Sequence, residues 1–299
     1  MTTPLRTPYD GSSRLFAIGL KPLDLTDWID ADDRLAEDLA EKHRLALSRW
    51  DDVFAAEPGT EAAQAEILAL LVAYLPGRYP SLFRRDGDAV EIIPTGRRVP
   101  IEAAPALWTA AQLVQEDLVL MRRAEEGWRL AAASLNFPSS WRLREKFGRP
   151  IHQIHAPVPG FGEGSRNADL IARMFDNMRP ETAMIRWNWS VYGDGALHHP
   201  SDSPPRRFGP GERAENIFLR VERQTLRRLP LSGDILFTIR IAVDPLAALE
   251  RHTDGSRIAA AMIEQLLALD GAQLAYKGLS LERDRLVARL AELKPGAGE

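Results

Sequence analysis

Two histidines three residues apart, His152 and His155, stand in the stretch IHQIHAPVPGF, with Pro150 just before and Pro157, Pro159 and Gly160 just after. A neutral imidazole is both a metal ligand and a general base near neutral pH. Proline fixes its own φ and biases the preceding residue toward extended backbone. The flanking prolines are therefore expected to hold His155 in one extended shape and keep its ring aimed. Two readings stay open. One is an imidazole hydrogen-bonded to backbone in a turn, which spacing alone favours. The other is an axial ligand for a haem iron. The pair is not a His-Glu-x-x-His zinc motif, and no acidic third ligand sits at zinc spacing.

A second group lies on three apolar–polar alternating stretches: Arg186, Asn188 and Ser190; Arg220, Glu222 and Gln224; Thr238 and Arg240. If the strands pair, these side chains share one sheet face. The plainer reading is a solvated face balanced by salt bridges. The sharper reading is a cavity roofed by helices. Covered arginines need anionic partners, and a guanidinium binds a carboxylate or phosphate with two parallel hydrogen bonds. Arg223, Arg227 and Arg228 add positive charge near the end of the middle stretch. Other candidates are weaker. His198 and His199 sit in a polar loop and read as solvated; Tyr79 reads as a packing residue. The run from Gly160 to Gly164 has no following lysine, and there is no GxGxxG, P-loop or GxSxG motif.

The elements that must position these groups follow from periodicity. Helices are expected over Asp27–Phe54, with Asp30, Asp32 and Asp33 suiting its start and Leu35, Leu39 and Leu45 as its apolar stripe; over Glu61–Leu75; and over Ile101–Gln115. Arg14–Asp24 reads as an extended arm, and Ala89–Ile93 as a short strand. Strands are expected at Glu116–Arg123 and Trp128–Phe137, joined as a hairpin, and at Met184–Tyr192, Ile217–Thr225 and Asp234–Val243. Pro138 stops the second of these, and Ser139 or Ser140 caps a short helix through Trp141–Phe147. Asn167–Asn177 is helical, Asp194–Glu212 is a polar loop with a linker-like part near Ser201–Gly211, and helices follow at Pro245–His252, Ser256–Leu269 and Leu279–Leu293 before a frayed tail, PGAGE. The expected fold is one α+β domain over residues 1–299, an antiparallel sheet of about five strands. Helical elaborations stand before it (about 25–115) and after it (about 245–293).

Composition narrows the function classes. A net charge of -4 without a long basic run argues against nucleic acid. No apolar run approaches the roughly 20 residues of a membrane span, and the N-terminus lacks a secretory apolar core; a cytoplasmic location is expected. There is no cysteine. Disulfides, thiolate nucleophiles, thiolate-ligated haem and protein-held iron–sulfur clusters are therefore excluded within this chain.

The runs LVQEDLVLMRR, LNFPSSWRLREKFGRPIHQIHAPVPGF, RWNW and LRVERQTLRRLPLSGDILFTIRIAVDPL resemble the haem-dependent oxidative N-demethylase alpha-subunit-like family. LPGRYPSLF and AYKG resemble its outer motifs, and the likeness runs from about Leu15 to about Leu293. The resemblance implies a PAS-like antiparallel sheet with helices around a ligand cavity. It implies haem b, dioxygen, and electrons from an external flavin and iron–sulfur reductase. The implied activity removes a methyl group from a secondary amine with formaldehyde release; the alternative is a haem-based sensor or gas- or small-molecule-binding protein without turnover. By resemblance His155 is the axial ligand candidate, with His152 second. Arg186, Asn188, Glu222, Arg220, Arg223 and Arg240 become candidates for contacts to propionate, oxygen or substrate, with Glu222 receiving a cationic amine or relaying protons.

Overall fold

The computed structural model describes residues 6–201 and 214–293. The loop expected over Asp194–Glu212 therefore lies mostly outside the described residues, and the tail PGAGE wholly so. In chain order the elements are β1 (Lys21–Leu23), α1 (Leu35–Val53), β2 (Phe54–Ala56), α2 (Glu61–Arg78), β3 (Phe83–Asp86), β4 (Ala89–Ile92), β5 (Arg97–Pro100), α3 (Ala106–Ala111), β6 (Asp117–Ala124) and β7 (Gly127–Ser134). They continue with α4 (Leu143–Lys146), α5 (Ile151–Ile154), α6 (Arg166–Asn177), β8 (Ala183–Tyr192), β9 (Phe218–Arg228), β10 (Ile235–Pro245), α7 (Gly255–Leu267), α8 (Gly271–Lys277) and α9 (Arg283–Ala291).

Seven strands form one antiparallel sheet in the order β1-β8-β9-β10-β6-β7-β2, and β3-β4-β5 form a separate three-stranded meander. The five expected strands are the five central ones. The expectation of about five is corrected at the edges: β1 and β2 are three residues each, too short to carry a period-two signal. β6 and β7 close a tight hairpin in which Ala124 pairs Gly127. Gly127 takes φ 108, which only glycine adopts cheaply.

Each sheet face is covered separately. On the back face, Leu118, Leu120 and Leu236 join a core with Ile67 and Leu71 of α2 and Leu107 of α3. Further along the same face Trp189, Val191, Leu219 and Val221 pack on Ile258, Met262 and Leu286 from α7 and α9. On the front face Val119, Met121, Leu226 and Ile239 meet Phe161, Ile171 and Phe175 around α6. No single helix among the described residues is long and apolar enough to cross a membrane.

Several expected helices are shorter than their pattern, among them Leu279–Leu293, which keeps only α9, and Trp141–Phe147, which keeps only α4. The first helix of the chain was to start at Asp27, but α1 starts at Leu35. The aspartates before it are used elsewhere: Asp30 meets Arg6 at 2.6 Å, and Asp32 meets Arg240 at 2.8 Å. Residues 24–34 thus lie across the back of the sheet, wound only in a 3-10 turn at Leu25–Asp27. Ile101–Gln115 keeps only α3, because the chain must reach β6 in extended form. The expected Pro245–His252 helix is a 3-10 turn, Leu246–Arg251, and α8, which no pattern announced, breaks the chain between α7 and α9.

Candidate functional site

Local chemistry turns the chain sharply after β7. Asp117 accepts the backbone N–H groups of Asn136 at 2.7 Å and Phe137 at 2.9 Å. Ser140 follows in the left-handed region at φ 62, a conformation that costs a non-glycine residue roughly 1–3 kcal/mol and tends to mark functional sites. It is held there by its N–H on the His199 carbonyl at 2.8 Å, and its hydroxyl lies 3.1 Å from that of Tyr192. Arg220 fastens the same turn. Fully buried, it donates to the Ser139 hydroxyl and to the carbonyls of Phe137, Pro138, Ala196 and Leu197 at 2.9–3.2 Å.

After α4, Gly148 and Arg149 hydrogen-bond back to Leu130 of β7. Pro150 then opens α5, and His155 closes it at φ -91, ψ -4. The extended backbone expected for His155 is therefore corrected to one helical turn. Proline's fixed φ and missing N–H suit a first helical turn as well as an extended one, and Pro150 is used in that way.

His155 opens on a chamber of about 310 Å³, within the roughly 300–1,000 Å³ of small-molecule sites. The sheet supplies Val119, Met121, Phe237 and Ile239 to its wall; the helical side supplies Ile151, Ile154, Phe161 and Phe175. The arm before β1 adds Phe16, Ile18 and Leu20. Burial, with the charges of Lys146 and Arg186, lowers the His155 pKa to about 4. The ring is thus neutral at ordinary pH. Its one ring contact is an edge-on approach to Phe161, 6.2 Å between centroids, and neither nitrogen is hydrogen-bonded among the described residues. His152, half-buried on the same turn, is not part of the chamber wall.

The polar side of the chamber is built by register. Asn188 pairs Glu222 and Arg186 pairs Gln224 across β8 and β9, so all four share the front face. Burial alone would raise the Glu222 carboxyl. Hydrogen bonding from Ser139 and Asn188 and the charges of Arg220 and Lys277 instead hold it below the usual range. Gln224 also donates to it at 2.6 Å. Glu222 is therefore a buried anion facing the chamber. Lys277, at the end of α8, donates to Asn188 Oδ1 at 3.0 Å, to the Trp189 carbonyl at 2.7 Å and to Ser190 Oγ at 3.0 Å. It satisfies β8 where β1 no longer pairs with it. Lys146, on α4, completes the set.

Three of the candidate arginines lie elsewhere. Arg220 is on the front face but spends its donors on the loop clamp. Arg223 and Arg240 pair with each other in the register of β9 and β10, and both point to the back face. Arg223 donates to the carbonyls of Trp28, at 3.0 Å, and Asp27. Arg240 is ion-paired to Asp32 and Asp38. The expected place of Thr238 and Arg240 on the shared polar face is thus corrected: Thr238 meets Thr225 behind the sheet, and Arg240, like Arg223, anchors residues 24–38 to the sheet. Arg227 lies over the Trp28 ring at 4.4 Å, and Arg228 binds the Asp176 and Met178 carbonyls. Tyr79 packs as expected, its hydroxyl on the Ile29 carbonyl at 2.6 Å. His198 and His199 are not solvated. His198 Nδ1 meets the Asn136 carbonyl at 2.7 Å, and buried His199 meets Asp194 at 3.0 Å.

Sequence reading missed Lys146, Lys277, Ser139 and Tyr276 as chamber residues. No local signal marked the two lysines: REKFG, beside Arg142, Arg144 and Glu145, reads as a solvated charged turn, and AYKG as the end of a surface helix. The chamber therefore offers one neutral, unengaged imidazole, one ionised carboxylate and a surplus of cations between apolar walls. A family model described as "haem-dependent oxidative N-demethylase, alpha subunit-like" matches residues 19–287.

Proposed function

The chain belongs to the haem-dependent oxidative N-demethylase, alpha-subunit-like family, and from that premise we propose that the chamber binds haem b through His155 and demethylates a secondary amine held by Glu222. The observation that carries this reading is the His155 ring: neutral, without a hydrogen-bond partner among the described residues, and facing an apolar chamber. The remaining residues fit the group. A porphyrin needs apolar walls, which Val119, Phe237, Ile239, Ile154 and Phe161 supply. Its two propionates need cations, and Arg186 Nε is buried with no partner.

When bound, haem b supplies oxidation of the N-methyl C–H bond with dioxygen and external electrons. The chain's own part is binding, orientation and protons. An N-methylamine arrives as a cation, and ionised Glu222 is the anion that meets it. Gln224 and Asn188 fix the carboxylate from either side, and Lys277 fixes Asn188. Once the amine is seated, Glu222 balances its charge, orients its N-methyl group and is placed to relay protons within the chamber. The apolar walls exclude water. With no cysteine in the chain, a partner bearing flavin and an iron–sulfur centre delivers the electrons. The PAS-like description of the fold belongs to the same proposal.

The deciding experiment is the absorption spectrum of the purified protein beside that of His155→Ala. A Soret band in the first that is lost or shifted in the second supports ligation; an identical band in both moves the ligand to His152 or elsewhere. With a chemical or enzymatic reductant, formaldehyde released from an N-methylamine separates turnover from the alternative, a haem-based sensor that binds without reacting.

A further inference from the structure

Two cations in the chamber make no salt bridge among the described residues, and the one wall carboxylate that acts on both is Glu222. Arg186 Nε is buried without a hydrogen-bond partner, and the guanidinium makes a single bond among the described residues, from Nη2 to the Ala17 carbonyl at 3.2 Å. Lys146 Nζ lies 4.0 Å from the Trp141 ring centroid and makes no hydrogen bond among the described residues. The other charged groups of the wall are engaged. Lys277 serves Asn188, Ser190 and the Trp189 carbonyl, and Glu222 accepts from Gln224. A buried cation without a partner is unfavourable, so this pair is placed for something the folded chain does not itself provide. Both act electrostatically on His155 and on Glu222, which sets them beside the imidazole and the amine-binding carboxylate together.

We propose that Lys146 and Arg186 form a carboxylate-binding subsite of the chamber, next to the ammonium-binding Glu222. The subsite rests on the functional reading above and adds its second charge. A carboxylate fits better than a phosphate, because the nearby ionised Glu222 repels a dianion more than a monoanion. The free Nε–H of Arg186 supplies a directed donor, and Lys146, steered by the Trp141 ring, supplies a point charge. Burial draws the Lys146 ammonium down to about 8, still charged at neutral pH, and a carboxylate beside it would offset that desolvation. Two sources carry such a group: the propionates of the tetrapyrrole, and an amine substrate that is itself an acid, such as an N-methylamino acid.

The test uses the full chain freed of haem, in four forms: wild type, Lys146→Met, Arg186→Met and Lys146→Arg. Each is titrated with haemin and with haemin dimethyl ester, followed by the Soret band. Each is also titrated with N-methylglycine and with dimethylamine, followed by calorimetry. If propionates are the ligand, wild type prefers the free acid over the diester by about tenfold or more, the Met variants lose that preference, and Lys146→Arg keeps it. If the substrate supplies the carboxylate, the same pattern appears for N-methylglycine over dimethylamine. Wild type that discriminates in neither pair overturns the subsite, whatever the variants do. Preferences that persist undiminished in both Met variants also overturn it. Failure of every form to bind haemin overturns the haem reading instead, and the amine titrations then still decide the subsite.

Discussion

Glu222 and Arg240 show how differently one sheet treats two buried charges. Glu222 faces the chamber and is kept ionised by Ser139, Arg220 and Lys277 against the pull of burial. Replacing it with glutamine keeps the shape and removes the charge. Turnover of Glu222→Gln is expected to fall by about 10²–10⁴-fold, the usual weight of a positioned acid–base group, while the Soret band of the reconstituted protein stays unchanged; a formaldehyde assay beside the spectrum checks both. Full activity would remove Glu222 from the mechanism. Arg240 is 1% exposed and paired with Asp32 and Asp38 behind the sheet. Breaking a buried pair by removing one partner costs about 3–5 kcal/mol. Arg240→Gln is accordingly expected to lower the urea midpoint strongly and leave the haem spectrum of the remaining folded protein alone. The reverse outcome, ordinary stability with an altered spectrum, would return Arg240 to the site.

Among the elements, α6 carries much of the chamber's helical wall. It runs Arg166–Asn177, buries Ile171 and Phe175, and is capped by Ser165, whose hydroxyl accepts the Ala168 N–H at 3.2 Å. Gly164 at φ 75 makes the entry turn. A serine N-cap satisfies one of the four unpaired N–H groups of the first turn. Ser165→Ala is expected to cost about 1 kcal/mol in chemical denaturation and to loosen the wall that Ile171 and Phe175 form. An unchanged midpoint would mean that tertiary packing, rather than the cap, holds this helix. The opposite wall is a sheet whose polar and apolar residues are locked by register, so the chamber combines one rigid face with one face set by short helices.

For the molecule as a whole, buried ionisable groups dictate how stability follows pH. Lys42, fully buried, donates to the carbonyls of Ala111, Val114 and Glu116. Burial lowers its pKa and that of Lys146 to about 8 from 10.5. Between those two values the unfolded chain retains protons that the folded chain has released, so stability rises with pH through that window. Tyr9 works the other way. Its buried phenol is raised above the ordinary 10.0, chiefly by desolvation and then by Asp244. Above that pH the folded chain keeps a proton the unfolded chain loses, and stability falls. The haem-free protein is thus expected to show an unfolding temperature that climbs from about pH 8 to about pH 10 and declines beyond. The climb should be shallower in Lys146→Met. A steady fall across the lower interval would show that these lysines stay charged in the fold.

Period-two alternation was enough to place β8, β9 and β10, whereas β6 and β7, apolar on both faces, showed as short apolar runs on either side of a turn. The motif from Leu135 to Phe161 was enough to single out His155 and, with the other runs, to indicate the family. Alternation divides each strand into two sets, however, and says nothing about which set of one strand meets which set of the next. Pairing decides that: Asn188 opposite Glu222 kept the β8 and β9 sets together, whereas Gln224 opposite Ile239 sent Arg240 to the far face. A shift of one residue would have exchanged them. Lys146 and Lys277 were equally hidden, since they come from elements 131 positions apart in number and meet only through the chamber. Local sequence thus determined which residues can be buried and where the chain turns. The tertiary fold alone decided which charges share a cavity, because that depends on register and on long-range packing between distant segments.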